Sequence, residues 1–145
     1  MKKLKNILLV DDDEITNFIN KDIIEQMGIT EHIQVCENGK EAIDYLSAIY
    51  SPDPPEGHYP PDIIFLDINM PIMNGFQFLK EYHEQFDSDK SCKLIFMLTT
   101  SLRNQDIDGA LELRAIVSDY LEKPLDAEKV GTIIKQYFDF HYQAQ

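Results

Sequence analysis

Four apolar runs in this 145-residue chain stop abruptly at residues able to do chemistry. Ile7–Val10 stops at Asp11, Asp12 and Asp13, and Ile63–Leu66 stops at Asp67. Leu94–Leu98 stops at Thr99, Thr100 and Ser101, and "DYLE" stops at Lys123 and Pro124. Neighbouring carboxylates raise one another's pKa, and a hard divalent cation relieves that repulsion. Mg²⁺ takes oxygen ligands, usually a few carboxylates with waters and phosphate oxygens. A lysine adds a point charge for a phosphoryl oxygen, and a threonine hydroxyl can donate to another. A metal, a lysine and a hydroxyl around one phosphorus are the equipment for phosphoryl transfer. Asp67, alone at the end of its run, is the natural nucleophile, because a carboxylate can form an aspartyl phosphate.

Such chemistry requires elements that bring distant residues to one edge. Five short aliphatic runs are predicted as strands: Asn6–Val10, His32–Cys36, Ile63–Leu66, Leu94–Leu98 and Val117–Leu121. Each is followed by a stretch of helical period. Ile15, Phe18, Ile19, Ile23, Ile24 and Met27 predict the inner face of a first helix, ended by Gly28. Lys40–Ile49, Gly75–Phe86, about 104–113 and Ala127–Phe138 predict four more. Residues 50–62, with Pro52, Pro54, Pro55, Pro60 and Pro61, read as a surface loop and a solvated spacer. Strands apolar at successive positions are buried on both faces, which implies parallel pairing. The expected fold is therefore α/β, a doubly wound five-stranded parallel sheet with five helices in one domain. Ligands of such sheets sit at the carboxyl ends of the strands.

Composition narrows the function. Hydrophobic residues make up 43% of the chain, enough for a core without disulfides, and Cys36 and Cys92 read as reduced thiols. The net charge of −13 disfavours nucleic-acid phosphates. No apolar run approaches a membrane span or a signal-peptide core, so a cytoplasmic location without membrane contact is expected. The four histidines have no metal spacing and read as surface residues.

The stretches "ILLVDDDE", "ENGKEAI", "DIIFLDINMPIMNGFQFL", "IFMLTTS" and "DYLEKPL" resemble the receiver domain of bacterial two-component response regulators, almost end to end. The third is the most specific. The resemblance is to stand-alone, chemotaxis-type receivers, and the chemotaxis receiver is itself a standard example of strand order 2-1-3-4-5. It implies that order here, with residues 1–145 as a single receiver, its core over about 4–139, and a tail at 140–145. It implies Asp67 as phosphoacceptor, Mg²⁺ (or Mn²⁺) held by Asp12, Asp67 and the backbone carbonyl of Asn69, and Asp11 acting mainly through water. Thr99 and Lys123 would contact the phosphoryl group. Tyr120 would be the switch aromatic, and Pro124 would follow a cis bond. Gly75 would relieve a tight turn.

By the same resemblance, the phosphoryl group would come from a histidine kinase or a His-phosphotransfer protein. The chain would catalyse only its own phosphorylation and dephosphorylation, so it would not be an enzyme in the ordinary sense. It would signal through the face made by the fourth helix, fifth strand and fifth helix. After the last predicted helix only "DFHYQAQ" remains. Output is therefore expected through a separate effector protein, from a monomer or a phosphorylation-dependent dimer. Two alternatives stay open. One is a Mg²⁺-dependent aspartate-nucleophile phosphohydrolase, although Asn69 stands where such enzymes carry a second acid. The other is a degenerate receiver that binds partners without phosphorylation.

Overall fold

The computed structural model describes residues 3–86, 94–100 and 116–138. Their elements are β1 (Ile7–Val10), α1 (Glu14–Met27), β2 (Ile33–Cys36), α2 (Gly39–Ile49), β3 (Ile63–Asp67), α3 (Gly75–Phe86), β4 (Leu94–Thr99), β5 (Asp119–Glu122) and α4 (Ala127–Tyr137). All strand pairs are parallel, in the order β2-β1-β3-β4-β5. The fold class and strand order are those expected. The helix expected over 104–113 lies outside the described residues, which hold four helices.

Successive side chains of the central strands point to opposite faces. Ile7, Leu9, Ile63, Phe65, Phe96 and Leu98 pack with Ile24 and Met27 of α1 and with Val130, Ile133 and Ile134 of α4. Leu8, Val10, Ile64, Leu66, Ile95 and Met97 pack with Ala42, Ile43 and Leu46 of α2 and with Phe78, Leu79 and Tyr82 of α3. Two cores thus grip the sheet, and its carboxyl ends become a rigid platform. Cys36 is buried in the second core, where burial first and Glu41 second push its thiol up to about 12. It therefore stays protonated at neutral pH.

Helix α1 departs from expectation. Its buried residues are Asn17, Asn20, Ile24 and Met27, while Ile15, Phe18 and Ile19 are 69%, 74% and 49% exposed. The cause is local. Asp13 caps the helix, and the Asn17 side-chain amide donates to the Asp11 carbonyl at 2.7 Å. With the Asn17 face inward, the first apolar turn faces outward.

The proline-rich loop is anchored rather than a bare spacer. The Asn6 side-chain amide donates to the Tyr59 carbonyl (2.8 Å) and the Tyr45 hydroxyl (2.9 Å). The Asp62 carboxylate accepts from the backbone N–H groups of Lys5 (2.7 Å) and Asn6 (3.3 Å). His58 and His32 are half-buried, with ring centroids 5.1 Å apart. All of this sits at the amino end of the sheet, away from the strand ends that carry the acids.

Gly75 serves a purpose different from the one expected. Among the described residues, positive φ occurs at Ile72, Gly28 and Gly57, and not at Gly75. A Cβ at Gly75 would lie 2.7 Å from the backbone oxygen of Asp67 and 2.8 Å from the Met97 methyl. The glycine lets α3 start against the end of β3. Its N–H donates to the Ile68 carbonyl at 2.8 Å. Gly75→Ala is expected to destabilise the protein by roughly 1–3 kcal/mol, as overpacking does. Urea unfolding measures this, and an unchanged midpoint would contradict the close-approach explanation.

Candidate functional site

Because β1, β3, β4 and β5 are parallel, their last residues share one edge. Asp67 is the final residue of β3 and Thr99 the final residue of β4. Both strands run one residue further than the apolar pattern suggests, since the ladder carries these buried polar groups to the rim. Asp11 and Asp12 follow β1, and Lys123 follows β5.

The Lys123 ammonium bridges two acids. It lies 2.9 Å from Asp67 Oδ1 and 3.1 Å from Asp11 Oδ2. One carboxylate oxygen from each of Asp11, Asp12 and Asp67 falls within a group no wider than 4.8 Å. Asp11 and Asp67 are buried, whereas Asp12 is open to solvent. Asp11 is held from every side: its Oδ1 accepts from the Asp13 N–H at 3.0 Å, and its own N–H donates to the Cys36 carbonyl at 3.1 Å. Thr99 is buried, and its carbonyl accepts the Lys123 N–H at 2.7 Å.

The electrostatics follow from crowding. Burial pushes the Asp67 carboxyl above its ordinary range, and the charges of Asp11 and Asp12 push it further, against the opposing bond from Lys123. Burial alone would lower the Lys123 pKa, but its pairing with Asp67 and Asp11 outweighs that and raises it. Three carboxylates and one ammonium leave two negative charges uncompensated. A divalent cation would supply that missing charge. The donors are all carboxylate oxygens, with no sulfur or imidazole among them, which suits a hard ion such as Mg²⁺.

The remaining predicted residues lie on the segments that follow β1 and β3 and on or after β5. Asn69 is exposed on the loop after β3. The Lys123–Pro124 peptide bond is cis, as expected. Tyr120 lies on β5 opposite Met97, half-buried against the core under α2 and α3. Asp13 caps α1 and accepts from the Thr16 hydroxyl at 2.7 Å, which draws its carboxyl below the usual range. Two features escape sequence reasoning. Asn17 steadies the Asp11 carbonyl, and its sequence signal is a lone amide three and seven residues before Asn20 and Ile24. Ile72 has φ +69° and is 76% exposed, a conformation a β-branched residue rarely adopts.

A doubly wound parallel sheet with three acids and a lysine at its carboxyl edge places the site where α/β domains of this class bind ligands. Comparison with known proteins narrows this to a family. The description "Response regulator receiver domain" matches residues 7–135, and the chain belongs to that family. It is 33% identical to two-component response regulator 24 of Arabidopsis thaliana, over 94% of this chain and 85% of that one. It is 27% identical to the aerobic respiration control sensor protein ArcB of Escherichia coli, over 92% of this chain but 15% of that longer protein. The crystal structure of a two-component response regulator from Cytophaga hutchinsonii superposes with a TM-score of 0.76. That pair is 32% identical and covers 93% of this chain and 97% of the other.

A cation bound to this group would compete with Lys123 for Asp11 and Asp67. Lys123→Met is therefore expected to tighten Mg²⁺ binding on the order of tenfold, equivalent to about 1.4 kcal/mol. Calorimetric titration with Mg²⁺ measures this. Unchanged or weaker binding would contradict the competition.

Proposed function

We propose that this chain is a phosphoacceptor of two-component signalling, modified at Asp67. The observation that carries the reading is the Lys123 ammonium shared between Asp67 and Asp11 within the three-carboxylate group. Asp11, Asp12 and Asp67, with the backbone carbonyl of Asn69, would hold Mg²⁺ or Mn²⁺, which when bound offsets charge on the phosphoryl oxygens.

The chain's own groups then divide the work. An Asp67 carboxylate oxygen attacks the phosphorus of a phosphohistidine. The new O–P bond forms as the N–P bond breaks, and the imidazole leaves with the electron pair and takes up a proton. Lys123, released from Asp67 by loss of that oxygen's charge, pairs with a phosphoryl oxygen. Thr99, at the end of the next strand, donates its hydroxyl to another. Thr99 moving toward the phosphoryl group makes room for Tyr120 to turn further inward. The surface around β5 and α4 changes, and a separate effector protein reads it. The two forms are one equilibrium shifted by the new contacts. On this reading the chain catalyses only its own modification and demodification.

The donor surface is open beside the site. Ile15, Phe18 and Ile19 present apolar side chains on the first turns of α1, directly after the acidic loop. An exposed apolar cluster of this kind fits a helical partner such as a histidine kinase or a His-phosphotransfer protein.

With Mg²⁺ and acetyl phosphate, the protein is expected to gain one alkali-labile phosphoryl group. Asp67→Asn should gain none while keeping the wild-type circular dichroism spectrum. Uptake by that variant at the normal rate would contradict the assignment, as would rapid turnover of simple phosphomonoesters by the wild type. A second expectation separates donor docking from chemistry. Phe18→Glu should slow transfer from a phosphohistidine protein roughly tenfold, the effect of losing a modest interface anchor. Its rate with acetyl phosphate should stay at the wild-type value. Equal slowing with both donors would contradict a docking role for this face.

A further inference from the structure

Lys129 lies in the first turn of α4, three residues after the N-cap Asp126. A cation is poorly placed there, because the amino end of a helix favours acidic side chains. Its ammonium turns back over the start of the helix. It donates to the carbonyl oxygens of Glu122 and Pro124, both at 2.7 Å. Those two residues flank Lys123. The Lys123 N–H in turn donates to the Thr99 carbonyl at 2.7 Å. The main chain of Lys123 is thus pinned at three points, two of them by a single side chain.

This pinning has a mechanical purpose. β5 is the last strand in the sheet order, with β4 as its one strand neighbour among the described residues. The Lys123 N–H makes the last bond to β4, and past it the ladder no longer guides the chain. The Lys123 side chain is a flexible four-carbon stem whose charge must reach both Asp67 and Asp11. An unfixed root would let that charge wander. Lys129 supplies on the open side of the chain what a further strand would otherwise supply.

We propose that Lys129 is a positioning residue for the phosphoacceptor pocket, fixing the main chain on both sides of Lys123 so that its ammonium stays between Asp67 and Asp11. The proposal rests on the reading of that pocket as a phosphoacceptor site. Lys129 does not itself touch the acids; it acts through Lys123.

The test uses the whole chain with Lys129→Met, which keeps the stem and the helix propensity, and with Lys129→Arg, whose guanidinium can also donate to two carbonyls. In Lys129→Met, the Lys123 amide is expected to exchange with solvent at least about fivefold faster relative to that of Leu121. Mg²⁺ affinity should rise toward the Lys123→Met value, and uptake from acetyl phosphate should slow about tenfold. Lys129→Arg should restore all three to within about twofold of wild type. In a Lys123→Met background, Lys129→Met should leave both Mg²⁺ affinity and uptake unchanged. A merely structural loss would act equally in both backgrounds. Unchanged Lys123 exchange, or effects of equal size with and without Lys123, would overturn the proposal. If the wild type takes up no phosphoryl group, the phosphoacceptor reading falls; amide exchange and the Mg²⁺ cycle still decide the part played by Lys129.

Discussion

Three carboxylates confined within 4.8 Å repel one another, and the ammonium of Lys123 is the counter-charge that holds two of them in place. Around this balance the rest of the molecule makes sense. One positive charge against three negative ones is enough to keep the pocket assembled and too little to neutralise it. The deficit of two charges suits a divalent cation, and the pKa of Asp67 is raised first by burial and then by the charges of Asp11 and Asp12. Under the proposed function Lys123 would have two successive partners, the free carboxylate and the phosphoryl group that replaces its charge. A pocket neutralised from the start would bind neither a cation nor a phosphoryl group with comparable strength.

That balance depends on rigid placement of strand ends. Parallel β1 and β3 set Asp11 and Asp67 side by side. The tight approach of Gly75 brings α3 against the backbone oxygen of Asp67. The bond from the Lys123 N–H to the Thr99 carbonyl ties the lysine's root to the strand that carries the hydroxyl. In the proposed switch, movement of Thr99 would therefore be felt directly at Lys123. Tyr120, three residues before Lys123 on β5, packs on the core under α2 and α3.

Much of this was legible in the residues. Apolar runs buried on both faces announced a parallel sheet, and their abrupt polar ends announced which residues share its rim. Asp67, Lys123 and the acids after Val10 stood out because they end buried apolar runs, and the resemblance to receivers assigned them roles. Contacts between elements were not legible. The apolar period of α1 predicted Ile15, Phe18 and Ile19 as core, yet they are exposed while Asn17, bonded to the Asp11 carbonyl, is buried. The prolines of residues 50–62 suggested a spacer, because the anchoring amide of Asn6 lies far away in sequence. Gly75 was legible as special but not as a close-packing glycine, since a steric need and a conformational need leave the same letter. Lys129 had a faint signal, a cation where the helix dipole disfavours one.

The central claim is that Asp67 is where the phosphoryl group rests. Borohydride reduces an acyl phosphate to an alcohol, so reduction of phosphodonor-treated protein followed by peptide sequencing locates the modified residue. Homoserine at position 67, and nowhere else, is the predicted result. An intact Asp67 with homoserine at Asp11, Asp12 or elsewhere, or no conversion at all, would contradict it.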